Sequence, residues 1–313
     1  MSINVTNGKG NEWAVASRFS SVLEVPIRQD SSAKVAEAAY LALPEHLRER
    51  FEISAKLAVE YIVNQESNNL KQNLPLEVVL SGDSEGESGD VRDVLVFGES
   101  VIFGVSCKTN HDAYKHSRLS KKIDWVAKWG LDPAGCSQIY KDAISPVFDQ
   151  LAEVRTSSGS TALFRNMKDL HGDVYAPVLL AFEEELVRLF AEAAFPERLA
   201  GALVQYVVGN HDFYKVVTRT SEVDVLAFNF NGSLNSNKTK LPTKVLSVDR
   251  EEGSAHSINV RFDRGYVFNF RIHNASSRVE PSLKFDVQAV GLPSKEIRHH
   301  NMSYEHALYT EVE

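Results

Sequence analysis

The sequence predicts an α+β fold: a mixed sheet core flanked by helices, followed by a β-rich C-terminal region. Three patterns carry that expectation. Apolar residues recur at helical spacing through 33–66. Two β-rich runs meet at a short turn between Val91 and Cys107. Six β-rich segments, separated by Gly, Asn and Ser turns, fill 213–290. The same patterns predict a helix-rich region 1–212 that contains the hairpin and a β-rich region 213–313, either as two domains or as one compact domain.

Taken in order, Leu47, Phe51, Ala55, Ala58 and Ile62 form one apolar stripe, and Pro44 divides 33–66 into two helices. Residues 74–80 are a short apolar strand, and 81–89 an acidic loop rich in Gly and Ser. Residues 91–97 and 101–107 are strands around the turn Gly98-Glu99-Ser100. This hairpin sets residues near 93 opposite residues near 105–106. Residues 112–129 are expected as helix. Two further helices follow at 175–195 and 196–208, the second ending at Gly209. Strands are expected at 214–217, 223–229, 244–249, 257–262, 266–272 and 282–290.

At 313 residues, 43% hydrophobic and 24% charged, the chain can bury a core without disulfides or metal staples. Cys107 and Cys136 make neither a disulfide framework nor a paired zinc spacing. No apolar run approaches the roughly 18 residues of a membrane-spanning helix, and Met1 to Trp13 lacks an apolar signal core. The expectation is a soluble, cytoplasmic protein with no membrane partner. The net charge of −8 argues against a nucleic-acid partner only when averaged over the chain. Residues 1–100 carry −7, whereas 108–128 carry +4 and 215–300 carry +4. Screening over about 8 Å lets such local basic surfaces hold phosphates on an acidic protein.

The hairpin brings Asp93 beside Ser106-Cys107-Lys108. A carboxylate and a lysine on adjacent strands are the parts of a metal-dependent nuclease site. The carboxylate holds Mg2+, the ion activates water and polarises the phosphate, and the lysine stabilises developing negative charge. In such a site the backbone carbonyl of Cys107 would be a further metal oxygen. The competing reading is a surface salt bridge. The stretch from Asn110 to Ser120 is dense in polar donors: Asn110 and His111 suit ordering the site or touching substrate, and Lys115, His116 and Arg118 suit phosphates.

These residues resemble the PD-(D/E)xK nuclease core, and the chain resembles the HaeIII family of type II restriction endonucleases. The matching segments are Gly89-Asp90-Val91-Arg92-Asp93-Val94, Tyr206-Val207-Val208-Gly209-Asn210-His211-Asp212-Phe213-Tyr214-Lys215-Val216, and the run from Arg271 to Asp286. They lie within 89–290 in the family's order. Ser106 departs from the core pattern, standing where Asp or Glu is usual, so Glu60, Glu52 and Asp90 are the candidates for the second carboxylate. The resemblance implies a restriction-endonuclease-like fold, double-stranded DNA as partner, and Mg2+-dependent cleavage of both strands at GGCC. A palindromic target favours a homodimer, with a monomer that cuts each strand in turn as the other possibility.

Arg271, His273, Asn274, Arg278 and Lys284 cluster within fourteen residues. Arg and Lys read guanine and Glu accepts from cytosine, so Arg271, Arg278, Lys284 and Glu280 are candidate base readers, with phosphate contact or mutual pairing as the competing reading. Other groups read as structural. His111 and His116 miss the spacing of paired zinc ligands. Trp125 and Trp129 read as core packing. Glu183, Glu184 and Glu185 read as a solvated helix face. The loop 81–89 lacks the Gly-Lys-Ser/Thr ending of a phosphate loop. Two other functions compete with restriction: a repair or non-specific nuclease of the same core, and a DNA-binding protein without catalysis.

Overall fold

The computed structural model describes residues 3–82, 90–110, 113–166 and 173–305. Its chain begins with α1 (Ile3–Leu23), α2 (Ser31–Leu41), α3 (Glu45–Gln65) and α4 (Ser67–Gln72). Strands β1 (Glu77–Leu80), β2 (Val94–Phe97), β3 (Val101–Thr109) and β4 (Ala113–Leu119) follow. Next come α5 (Trp125–Lys128), α6 (Gln138–Ser157), α7 (Tyr175–Glu192) and α8 (Pro196–Val208). The later strands are β5 (Phe213–Thr218), β6 (Glu222–Phe228), β7 (Val245–Arg250), β8 (Ser257–Phe262), β9 (Val267–Asn274), β10 (Leu283–Gly291) and β11 (Arg298–Ser303).

Contacts divide the chain into two units. One is formed within 1–112, 209–240 and 294–313, the other within 113–208 and 241–293. The chain therefore passes between units near 112, 208, 240 and 293, and the expected division at 212 lies beside one of these crossings.

The first unit holds a six-stranded mixed sheet in the order β1-β2-β3-β5-β6-β11. All neighbours are antiparallel except β3 with β5. A parallel neighbour needs a long crossover, and here all the chain between Thr109 and Phe213 supplies it. One face buries Val94, Val96, Phe103, Val105, Cys107, Tyr214 and Val216 against Phe19 of α1 and Phe51, Ala55, Ala58 and Ile62 of α3. The apolar stripe read from the sequence is thus the inner face of α3, and Pro44 precedes its first turn. Helix α1 carries no such stripe: its buried residues include Gly10, Asn11 and Glu12. A helix that buries polar groups has a weak apolar period, which is why the sequence alone does not announce it.

The second unit holds an antiparallel sheet in the order β4-β10-β9-β8-β7. Phe285, Phe270, Phe268 and Ile272 are buried on one face. Phe182 of α7 packs there, its ring centroid 4.5 Å from Phe285 and 5.7 Å from Phe270. Trp125 and Trp129 are core residues, as expected, packed against Phe182 at 4.7 Å and Tyr206 at 4.5 Å respectively.

The helix expected over 112–129 is corrected: Ala113–Leu119 is strand, and only Trp125–Lys128 is α-helical. His116, Ser117, Arg118 and Leu119 alternate exposed, buried, exposed, buried. The inward position at 117 is filled by a serine whose hydroxyl shares a 2.8 Å hydrogen bond with Tyr206. A strand that faces inward with a hydroxyl lacks the apolar alternation by which strands are recognised. The expected solvated face at 183–185 also changes. Glu185 is buried, accepting from the Ser137 amide at 2.7 Å and hydroxyl at 2.6 Å, and from Arg188. Four donors satisfy the carboxylate and make burial affordable, and they fix Ser137, whose hydroxyl caps α6 by accepting from the Tyr140 amide at 3.1 Å.

Gly135 links these features. Its φ is +77°, and a Cβ there would lie 2.3 Å from Asp124 Oδ2. That carboxylate accepts from the Cys136 amide at 2.9 Å and the Ala127 amide at 3.2 Å. Gly135→Ala is expected to cost about 1–2 kcal/mol from the left-handed backbone alone. Thermal unfolding should show a midpoint lower by several degrees; an unchanged midpoint would mean that the loop re-forms around the methyl group.

Candidate active site

The three strands β1, β2 and β3 place Asp93. It lies one residue before β2, where its amide donates to the Val105 carbonyl at 2.8 Å and its carbonyl accepts from Ser81 at 2.9 Å. Backbone pairing on both sides fixes the Cα, so the side chain projects at the end of the hairpin toward β3. The register Val94↔Val105 then brings Ser106, Cys107 and Lys108 alongside.

All described contacts of the carboxylate converge on Oδ2. The Cys107 amide donates at 2.7 Å, the Ser106 hydroxyl at 3.3 Å and the Lys108 ammonium at 3.4 Å. No described residue donates to Oδ1. The amide and carbonyl of one strand residue face the same neighbour. The Cys107 carbonyl therefore faces the side on which its amide meets Asp93.

A residue not anticipated from the sequence completes the cluster. Glu12, on α1, is only 8% exposed. Its pKa is pushed up to about 7, first by burial and then by the Asp93 charge, against the attraction of Lys9 and Lys108. Lys9 bridges it at 3.0 Å. Neighbouring Asn11 ties the helix to β3, its amide donating to the Lys108 carbonyl at 3.4 Å and to Thr109 Oγ1 at 3.3 Å. Thr218 of β5 donates back to Asn11 Oδ1 at 3.3 Å and shares a hydrogen bond with Ser54. One polar chain thus pins α1, α3, β3 and β5 beside the carboxylates.

The two carboxylates shape their neighbours' charge. Lys108 is raised above the usual lysine value by Asp93, against the burial that opposes its charge, so it is an ammonium at neutral pH. Burial pushes the Cys107 thiol well up, and Asp93 and Glu12 push it further. A neutral buried thiol is no nucleophile.

The other expected carboxylates are engaged elsewhere. Glu60 pairs with Arg18, Glu52 accepts from Tyr40, and Asp90 is held by Arg92 through two bonds of 2.8 and 2.7 Å. None shares a described hydrogen bond or ion pair with Asp93 or Lys108. Asn110 has φ +50° and donates its amide to Thr218 at 2.9 Å. His111 lies outside the described residues.

In the second unit, strand alternation sorts the remaining candidates. Lys115 packs its ammonium 4.9 Å from the Tyr206 ring, and burial lowers its pKa. His116 and Arg118 point the other way. In register they meet Asp286 and Lys284 of β10, which in turn meet Arg271 and His273 of β9. Two rows result on one sheet face, His116–Asp286–Arg271 and Arg118–Lys284–His273. Arg118 pairs with Glu280 at 3.3 Å, and Arg278 is exposed ahead of β10. Asp286 was not among the expected site residues; its proximity follows from strand register, which the sequence does not state.

The family model for HaeIII restriction endonuclease matches residues 13–293, which include Asp93, Lys108 and both rows of the sheet face. Type II restriction enzyme HaeIII of Haemophilus aegyptius is 32% identical over 309 residues, spanning 92% of this chain and 94% of that protein. No solved structure matches. Similarity over nearly the full length of both chains places this protein in the HaeIII restriction endonuclease family, and its activity is that of a type II site-specific deoxyribonuclease.

Proposed function

We propose that this chain hydrolyses phosphodiester bonds of double-stranded DNA at the palindrome GGCC, using Mg2+. The family resemblance implies that target. The observation that carries the chemistry is the meeting of Asp93, Lys108 and the buried Glu12 at the end of one hairpin.

The donor set fits a hard cation. Two neighbouring carboxylates, one of them desolvated, are relieved by positive charge, and oxygen is the ligand type that Mg2+ takes. Among the described residues no three His, Cys, Asp or Glu side chains converge. Asp93, Glu12 and the Cys107 carbonyl are the protein oxygens we assign, with Glu12 in the role expected of Glu60. So small a protein share suits Mg2+, which keeps much of its shell as water and phosphate. When bound, the ion polarises the scissile phosphate and lowers the pKa of a water molecule.

The chain's own residues do the remainder. Lys108, kept charged by Asp93, stabilises negative charge developing on the phosphate. The Ser106 hydroxyl and Cys107 amide hold Oδ2, which leaves Oδ1 to face the metal. Asn11 fixes α1 and so the position of Glu12. The first unit is assigned to cleavage. The second is assigned to recognition through His116, Arg118, Arg271, His273, Arg278, Glu280 and Lys284, with Asn110, His111 and Lys115 contributing donors. A palindrome presents two equivalent scissile phosphates, and a two-fold homodimer answers that symmetry. We place the enzyme in the cytoplasm, and no described helix is long and apolar enough to cross a membrane.

A plasmid of known sequence should yield discrete fragments with Mg2+ and none with EDTA, their ends mapping to GGCC. Asp93→Ala and Lys108→Ala should each lower cleavage by at least a hundredfold while remaining folded. Wild-type rates in both variants would overturn the site.

Glu12 gives a test that needs no catalysis. In the unfolded chain it ionises near its ordinary value of 4.5, and in the folded chain near 7. Between these values the folded chain keeps a proton that the unfolded chain has lost, so rising pH removes stability. Glu12→Gln lacks this dependence. In EDTA its stability advantage over the wild type should open above pH 4.5 and level off above about 7. Mg2+ should then narrow the gap, because an ion that binds only the folded carboxylates stabilises the wild type. A gap that ignored both pH and Mg2+ would place Glu12 outside the metal site.

A further inference from the structure

The polar face of the second unit's sheet contains a charge that nothing above explains. Asp286 is 3% exposed, on the middle strand of the three that carry the two rows. Its Oδ2 accepts from Arg271 Nη2 at 2.9 Å. Its Oδ1 is buried and has no hydrogen-bond partner, with His116 Nδ1 at 3.7 Å. In the next row, His273 Nε2 is likewise buried and unpartnered. Orphaned buried polar atoms are costly, and two adjacent on one sheet face mark a surface shaped for something other than stability.

The exposures show what Asp286 acts on. The Arg271 side chain is 56% exposed and that of His116 is 52%, whereas Asp286 is 4%. A buried carboxylate therefore lies beneath two exposed basic groups on the flanking strands. It cannot itself touch a large ligand, since its free oxygen is closed to solvent. What it does is restrain the guanidinium. Oδ2 takes one N–H of Arg271, and the rest of the planar fork remains in the open. An arginine so held loses less rotamer freedom on binding than a free one, and its fork matches the O6 and N7 acceptors of guanine in the major groove. Lys284 and Arg118, in the parallel row, add charge of the sign that phosphates attract. The same burial that shuts Asp286 from solvent preserves its charge interaction with Arg271 against salt.

We propose that Asp286 is a positioning residue for sequence recognition: from beneath the sheet face it aims the Arg271 guanidinium at a guanine in duplex DNA. This inference rests on the restriction reading and assigns a role in specificity to a residue outside the cleavage site.

The test is fluorescence anisotropy of the full-length protein in EDTA. One duplex carries the sequence mapped at the ends of the wild-type fragments, and a second has one G·C pair of that sequence replaced. Asp286→Asn keeps size and removes charge. It should lower the ratio of affinities for the two duplexes at least tenfold, entirely by loss on the first. Affinity for the second should not fall, because a negative charge has been removed from a phosphate-facing surface. Arg271→Ala should lower the ratio similarly, and adding Asp286→Asn to it should change the ratio no further.

Equal loss on both duplexes would show a structural role for Asp286 and overturn the proposal, as would a double variant that discriminates less than Arg271→Ala alone. Should Asp286→Asn fail to fold, Arg271→Lys decides, since it retains charge and loses the fork; wild-type discrimination by that variant would overturn the proposal. A wild type that yields no discrete fragments would instead sink the restriction reading, and this inference with it. Discrete wild-type fragments with undiminished discrimination in the variants would sink this inference alone.

Discussion

The Asp93 carboxylate sits where three strands leave their ladders, and much of the first unit is arranged around it. Its own backbone closes the β1–β2 and β2–β3 pairings. Its Oδ2 takes the Cys107 amide, the donor that would be left over once β2 ends. A strand terminus normally leaves such a donor to water; here it anchors an acid. Lys108 and Glu12 then follow as consequences. The lysine is drawn to the charge, and the glutamate, brought in by α1, is repelled by it and held only because Lys9 and Lys108 offset part of the cost.

Buried acids recur through the molecule, and their hydrogen bonds sort them. Glu185 accepts four bonds and fixes Ser137, the cap of α6. Asp212 accepts from the amides of Asn231 and Ser233, both at 2.8 Å, and clamps the loop after β6. These are satisfied groups with structural duties. Glu12 is crowded by a like charge, and Asp286 has an oxygen with no partner. An acid buried without full compensation is expensive to a fold. The two under-compensated acids stand at the proposed cleavage site and on the proposed reading face, where a cation or a bound duplex would supply what the free protein lacks.

What the sequence makes legible follows from what leaves a periodic mark. The stripe on α3, the hairpin and most later strands show because burial imposes a 3.6- or two-residue rhythm. Asp93 and Lys108 were legible because a hairpin converts their separation into a register. The gaps have equally physical causes. Helix α1 buries Asn11 and Glu12, so its inner face reads as surface. Strand β4 has Ser117 where an apolar residue would reveal it, and reads as a polar helix. Glu12 is 81 positions before Asp93, and Asp286 is 170 after His116; no local pattern links residues joined only by tertiary contact. Ser106 suggested a missing carboxylate, and only the packing of α1 shows which one stands near.

The four crossings between units bear on how the chain folds. β3 waits for β5 across more than a hundred residues, and β4 waits for β10 across more than a hundred and sixty. β11, the last strand described, completes the first sheet beside β6. Contacts so distant along the chain are slow to form, because loop closure costs entropy before any pairing offsets it. Neither sheet can be completed on a ribosome until the chain has emerged through β10 for the second sheet and β11 for the first. A nascent fragment containing Asp93 and Lys108 therefore lacks the strand that supports Lys108 and the face that carries Arg271. For a protein that cuts DNA, this order of assembly postpones the hazard to the host until β10 and β11 have been made.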